Sequence, residues 1–346
     1  MHTNDSDNFV FHMTHPYTPR ILLVKTSSLG DVLHNLPVVS DIVRNYPEAQ
    51  IDWLVEENFI ALPKLHPAVR NVIPVALRRW RGSLLNAGTW RETCHEIGGF
   101  RAALAAQNYD FAIDTQGLLK SALLMRGANA LRCGYDRHSA REPLAANFYQ
   151  RTYSIATDQH AVERNRQLVA HAVGYTLADH TLHARADFGI HLPAITRPDW
   201  FLDGAYVVLL HATSRADKLW DEANWIALGR YLHGANIRCV LPWGSGAERL
   251  RSLRLAEAIP DAIVPPRLNL DVAAFLLGSA RAVVGVDTGL NHLAAALNMP
   301  TIGIYTATDP ALTGLYTGTQ IINLGNIGHA PDSTTVIAAL RKLVQC

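Results

Sequence analysis

Two stretches of this chain place reactive side chains where a turn could present them: KTSSLGDVLHNLP (25–37) and AVVGVDTGLNHLAAAL (282–297). In the second, a small apolar run ends at Val286 and a helical pattern follows. Asp287 and Thr288 read as caps of that helix, and Gly289 lets a ligand approach the backbone closely. Free amide groups at a helix start favour a phosphate, and His292, one turn in, adds a donor. An ordinary capped helix with a satisfied histidine fits the same spacing. In the first stretch, Gly30 permits a tight turn and Asp31 stands at a helix start, where it is either a cap or a base. Asp114, at the end of FAID, is its nearest competitor in the first half of the chain.

Three further segments offer charge. HATSRADKLW (211–220) supplies the hydroxyls of Thr213 and Ser214 and the cations of Arg215 and Lys218, which suit a diphosphate leaving group or simply form a polar loop. LPWGSGAERL (241–250) has Gly244 and Gly246 but Arg249 where a dinucleotide fingerprint needs its third glycine. Glu248 there either holds a ribose hydroxyl or complements a helix dipole. RRWRG (78–82) sets Arg78, Arg79 and Arg81 around Trp80; guanidinium forks suit carboxylates and phosphates, and a solvated basic loop is the plain alternative. No metal site is expected. Asp5-Ser6-Asp7 lies in a tail with no strand before it, and His180 and His183 have no carboxylate or cysteine partner nearby.

The elements that must carry these residues alternate. Apolar runs at 20–25, 50–55, 71–75, 111–117, 130–135 and 153–155 read as strands, as do those at 205–212, 237–244, 261–264, 282–287, 301–306 and 320–324. DVLHNLPVVSDIVRNYP reads as one helix ended by Pro47, and STTVIAALRKLVQC as the last helix. Strand, helix, strand at this spacing is a βαβ unit. The pattern predicts an α/β protein of two Rossmann-like, doubly wound domains facing a central cleft, with ligands at the carboxyl ends of the strands. The expected division is a disordered tail (1–18), an N-terminal domain (19–190), a Pro-rich linker (191–204) and a C-terminal domain (205–346) whose last helix could pack back on the first.

Composition sets the outer bounds. The chain has 346 residues, 49% of them hydrophobic, and a formal net charge of +1, which gives no reason to expect nucleic acid. Residues 19–190 hold 19 Lys+Arg against 16 Asp+Glu, a weak hint of an anionic partner there. Cys94, Cys133, Cys239 and Cys346 form no CxxC pair and read as buried and reduced. No apolar run is as long as a membrane span, and the start lacks the blocks of a signal peptide. The expected location is the cytoplasm, with contact to a membrane only at its surface.

KTSSLGDVLHNLP, VIPVALRRWR, DTQGLLKSALL, REPLAANFY, QHAVERNRQL, HATSRADKLW, LPWGSGAE, VDTGLNHLAAAL and TDPALTG occur in this order from about residue 20 onward. As an ordered set they resemble the ADP-heptose glycosyltransferase family, which has the GT-B fold. The resemblance implies an inverting, metal-independent transfer of L-glycero-D-manno-heptose from ADP-heptose to the Kdo sugar of Kdo-bearing lipid A, in lipopolysaccharide inner-core synthesis, at the inner face of the inner membrane. No cofactor is implied. It further implies Asp31 as general base, with Thr213, Ser214 and Lys218 at the donor phosphates and Glu248 at the ribose. Asp287, Thr288, Gly289, Leu290 and His292 would surround the pyrophosphate and heptose. Arg78, Arg79 and Arg81 match the family's basic acceptor loop. Gly82 stands where another basic residue is expected, and Thr306 where a glycine is usual. A transferase adding the second heptose, or a nucleotide-sugar epimerase on the same plan, is the competing reading.

Overall fold

The computed structural model describes residues 18–86, 88–177, 186–201, 204–316 and 318–344. Most of the expected tail, His180, His183 and Cys346 lie outside them.

Eleven strands form two sheets among the described residues. The first contains β1 (Arg20–Val24), β2 (Gln50–Glu56), β3 (Val69–Val75), β4 (Asn108–Asp114), β5 (Asn129–Tyr135) and β6 (Arg151–Tyr153), in the order β3-β2-β1-β4-β5-β6. The second contains β7 (Tyr206–Leu210), β8 (Arg238–Val240), β9 (Ala282–Val286), β10 (Thr301–Tyr305) and β11 (Ile321–Gly325), in the order β11-β10-β9-β7-β8. Every strand pair is parallel. Parallel strands are covered on both faces, so they read as unbroken apolar runs; β7, β9 and β10 are buried at all five positions. The 261–264 run shrinks to one parallel bridge, Val240 to Ile263. With that bridge counted, both halves share the 3-2-1-4-5-6 order of a dinucleotide fold. This is the GT-B architecture.

The helices of the first half are α1 (Leu29–Leu33), α2 (Leu36–Asn45), α3 (Ala61–Lys64), α4 (Leu77–Leu84), α5 (Trp90–Ala105), α6 (Leu119–Met125) and α7 (Ala161–Val173). Those of the second are α8 (Glu222–Gly234), α9 (Gly246–Ala258), α10 (Leu270–Gly278), α11 (Gly289–Ala296), α12 (Pro310–Thr313) and α13 (Ser333–Val344). Two sequence expectations change here. The helix drawn through residues 31–46 is two helices. Pro37 has no N–H to donate and its ring collides with the carbonyl four residues back, so α1 stops at His34 and α2 restarts beyond it. The basic segment at 78–82 is not a loop but the body of α4, held by Trp80, which is buried beside Phe100.

The apolar stripe of α13 is spent on the second sheet. Val336, Ala339 and Leu340 join the core of β7, β9 and β10, and the helix packs on α8, β10 and β11. An expected return to the first domain has no apolar face left to make it. The two halves meet instead where α1 packs on α11 and α3 on α10. Cys133 and Cys239 are buried as expected, but Cys94 is exposed on α5. No helix among the described residues is long and apolar enough to cross a membrane.

One buried ion pair ties α2 to α7. Arg166 donates from Nε to Asp41 Oδ2 at 2.6 Å, and both side chains are almost wholly buried. Removing one partner strands the other charge in the core. Arg166→Leu is therefore expected to cost roughly 3–5 kcal/mol, read as a lower urea midpoint; a loss below about 1 kcal/mol would show the pair to be dispensable.

Candidate active site

β1 ends at Val24, and the chain turns through Ser27 and Ser28 into α1. Asp31, in the first turn of α1, accepts from Ser28 N–H at 3.0 Å and from Ser28 Oγ at 3.2 Å. It is thus a cap, as one reading held, but it also faces the cleft. Its Oδ1 takes the Arg141 guanidinium at 2.6 Å. Burial pushes this carboxyl up, but Lys25 and Arg141 outweigh it and hold Asp31 well below the usual carboxylate range. Lys25 itself is buried, donates to Thr115 O at 2.6 Å, and is lowered by that burial to about 8.

The second domain answers from the end of β9. Asp287 does not cap α11; it accepts from Lys218 Nζ at 2.7 Å and from Thr308 Oγ1 at 2.7 Å, and its Oδ1 lies 3.6 Å from His292 Nε2. Burial raises its pKa, while His292, Lys218 and Thr308 together hold it well below the ordinary range. Thr213 Oγ1 donates to the Asp287 carbonyl at 3.1 Å, so the loops after β7 and β9 are tied together. Thr288 is the N-cap residue, with no side-chain cap bond, which leaves the first amides of α11 for a ligand.

These groups line one cleft of about 460 Å³: Asp31, Arg78 and Arg141 from the first domain, and Thr213, Ser214, Lys218, Asp287, Thr288, Gly289, Leu290 and His292 from the second. Two walls meet there closely. A Cβ on Gly289 would sit 2.5 Å from Leu29 Cδ2, so only glycine lets α11 start against α1. A side pocket of about 260 Å³ adjoins, lined by Trp243, Glu248, Leu268 and Leu290 among others. Glu248 Oε2 accepts from Gly244 N–H at 2.6 Å and Ser245 N–H at 3.1 Å, so it caps α9 and borders the pocket at once. A larger groove of about 970 Å³ opens between the domains on the linker side, away from these residues.

Three histidines bridge the domains beside the cleft. His34 Nε2 is 3.2 Å from His292 Nδ1, with the rings at 88°. His160 packs edge-on against His34 and lies 3.0 Å, through Nε2, from Gly314 O.

Not every expected residue arrives. Of the three arginines on α4, only Arg78 lines the cleft, where it also stacks over Phe59. Arg79 is held by Glu57 and Glu96 on the surface, and Arg81 is exposed; helical spacing fans them apart. Arg215 pairs with its neighbour Asp217 at the surface rather than with the cleft. Asp114 is wholly buried and accepts from Gln116, Gly117, Ser121 and Tyr149, which makes it a structural turn residue. Arg141, His34, His160 and Thr308 join the site without any sign of it in their local sequence; their one signal is that each falls within a family-like motif, REPLAANFY, KTSSLGDVLHNLP, QHAVERNRQL and TDPALTG respectively.

A family model of glycosyltransferase family 9 (heptosyltransferase) matches residues 97–339. The chain belongs to glycosyltransferase family 9. It is similar to lipopolysaccharide heptosyltransferase 1 of Pseudomonas aeruginosa, 48% identical over 89% of this chain and 84% of that protein. Its fold is similar to that of the E. coli heptosyltransferase WaaC solved with ADP, at a TM-score of 0.83 and 42% identity, covering 94% of this chain and 99% of that one. WaaC is also solved with ADP-2-deoxy-2-fluoro heptose. The E. coli ADP-heptose lps heptosyltransferase II is 19% identical at a TM-score of 0.70, covering 94% of this chain and 98% of that one, which is a likeness of fold. As a member of this family the protein is a glycosyltransferase with the cleft of a two-domain enzyme.

The contact between α1 and α11 can be tested directly. Gly289→Val adds a side chain where Leu29 already stands, so the two helix starts must part. The expected result is a larger radius of gyration by X-ray scattering and weaker ADP binding, with both recovered when Leu29→Ala is added. Wild-type scattering in the Gly289→Val chain would mean that Leu29 merely swings aside.

Proposed function

We propose that this protein transfers L-glycero-D-manno-heptose from ADP-heptose to the Kdo of Kdo-bearing lipid A, with inversion. The observation that carries it is the convergence of Asp31 and Arg141 with Lys218, Asp287 and the free amides of α11 in one cleft. The identity to heptosyltransferase 1 relatives, and the nucleotides held by WaaC, support the donor.

In this reading the adenosine occupies the side pocket, its ribose near Glu248, and the pyrophosphate lies on Lys218, Thr213, Ser214 and the amides of Gly289 and Leu290. A donor pyrophosphate competes with Asp287 for the Lys218 ammonium. Cation and amides then carry the charge that develops on departing ADP, and Asp287 and His292 turn to the sugar. That charge is supplied by the protein, so the transfer is read as metal-free.

Asp31 takes the acceptor proton on the opposite face. So acidic a carboxylate is a weak base. Part of its acidity comes from Arg141, which is 44% exposed and can turn to the acceptor's carboxylate or phosphate. Acceptor binding would thereby relieve Asp31 of a cation where basicity is needed. Arg78 is the second cation on that side.

Peripheral membrane contact is part of the same proposal. The turn from α4 to α5 exposes Leu84, Trp90 and Leu85, the last 87% bare. Arg81 and Arg91 flank them, and the Arg91 guanidinium lies 5.5 Å from the Trp90 ring centre. Apolar tips within a basic rim suit a surface of anionic lipid, and α4 also carries Arg78 into the cleft.

Two experiments test this. Asp31→Asn keeps size and capping but not basicity, and should lower kcat about 10²–10⁴-fold with ADP affinity unchanged; activity should survive EDTA. Turnover near wild type in that variant would move the base elsewhere. For the membrane, Leu85→Asp with Trp90→Asp should abolish co-sedimentation with phosphatidylglycerol vesicles while sparing turnover of a deacylated acceptor. Undiminished sedimentation would assign the bilayer to another face.

A further inference from the structure

We propose that His34 is a positioning residue for the transfer, reaching from the first domain to fix which nitrogen of His292 carries the proton. The proposal rests on the donor reading above, in which His292 faces the heptose diphosphate.

The geometry leaves little choice of protons. His292 Nε2 stands 3.6 Å from Asp287 Oδ1, too far for a strong hydrogen bond but near enough that a bare ring nitrogen would set its lone pair against a carboxylate. Asp287 is ionised, held so by Lys218 and Thr308. With one ring hydrogen to place, His292 therefore carries it on Nε2, facing Asp287, and leaves Nδ1 bare. A bare Nδ1 needs a donor, and His34 Nε2 lies 3.2 Å away. Which nitrogen of a histidine is protonated is set by the bond the other makes; here that bond comes from the opposite domain.

His34 is itself held for the task. Pro37 ends α1 at His34, so its ring leaves the helix at the domain contact. The His34 carbonyl accepts from Asn165 Nδ2 at 3.1 Å, anchoring the break to α7. His160 packs edge-on against the ring at 5.2 Å between centres and is fixed in turn: its Nδ1 accepts from Val162 N–H and its Nε2 donates to Gly314 O. The charged and titratable groups facing His34 are Lys25, Asp31, His160 and His292. Burial keeps it neutral, so it donates as an imidazole. Domain closure thus sets a proton as well as a shape: with the domains apart, His292 would lose the partner that aims its Nε2–H.

The test is a double-variant cycle on the full chain, read by steady-state turnover of ADP-heptose with Kdo-bearing acceptor and by ADP affinity. His34→Phe keeps the ring and removes the donor. It should lower kcat/KM for ADP-heptose roughly 10- to 100-fold, the share of the charge-assisted hydrogen bond that a correctly aimed His292 Nε2–H makes to the donor diphosphate, with acceptor KM unchanged. His34→Gln, whose amide N–H can take the place of Nε2–H, should recover most of that loss. In a His292→Ala background, His34→Phe should have no further effect. Independent losses in the double variant, or no rescue by glutamine, would overturn the proposal and leave His34 as packing. If His34→Phe does not fold, the His34→Gln and His34→Asn pair decides in the same cycle, since only the longer amide reaches. A wild type that makes no product would sink the donor reading, and the cycle read by ADP affinity would still decide for or against His34.

Discussion

Leu29 occupies the space that a side chain at position 289 would need. That exclusion lets two helices, each starting at the carboxyl end of a parallel strand, abut across the domain boundary. Strand ends in doubly wound sheets are where backbone amides and polar side chains can meet a ligand. Bringing two such ends together puts a carboxylate from one sheet opposite a cation and free amides from the other. A displacement with a base on one face and a leaving group on the other needs that opposition, and neither domain has it alone.

Each wall of the cleft is electrically closed within its own domain. Asp31 is answered by Arg141, and Asp287 by Lys218. Leaving Asp31, Lys218 or Asp287 unpaired at its depth would cost several kcal/mol, so the pairs stabilise the unliganded cleft. Ligands enter by exchange: an anionic acceptor competes with Asp31 for a guanidinium, and a pyrophosphate competes with Asp287 for an ammonium. Each exchange trades one ion pair for another in the same low-dielectric space. Charge is redistributed, with little new charge to desolvate, and both carboxylates are freed at the moment substrate is present.

The strands were legible because parallel strands buried on both faces must be written as apolar runs, and β1, β7, β9 and β10 are. The 261–264 run had the right letters but found a partner at one residue only. The break at Pro37 was hidden because apolar positions continue in helical register on both sides of it. Asp31, Lys218 and Asp287 were visible from types at strand ends. Arg79 was not separable from Arg78, because its partners Glu57 and Glu96 lie 22 and 17 positions away. Arg141 sits in a stretch without period, and its meaning comes from Asp31, 110 positions earlier. His34 looked like one polar residue in an amphipathic helix; its partner is 258 positions on. Local pattern carries the elements, whereas pairings between distant segments exist only in the folded chain.

The strand order has a kinetic side. In each sheet the first strand made lies inside, and it completes its pairing only when a much later one arrives: Ile21 with Phe111, and Val207 with Ala282. Loops of this length make closure entropy the slow step, so both sheets belong among slowly assembling topologies. But no strand of the first sheet waits for the second. A chain emerging from the ribosome can finish its first sheet while the second is still being made, as domains generally fold in order of synthesis. The surface bearing Leu29, Asp31 and His34 would then stand bare until α11 is translated, and the cleft would be the last part of the molecule to come into being.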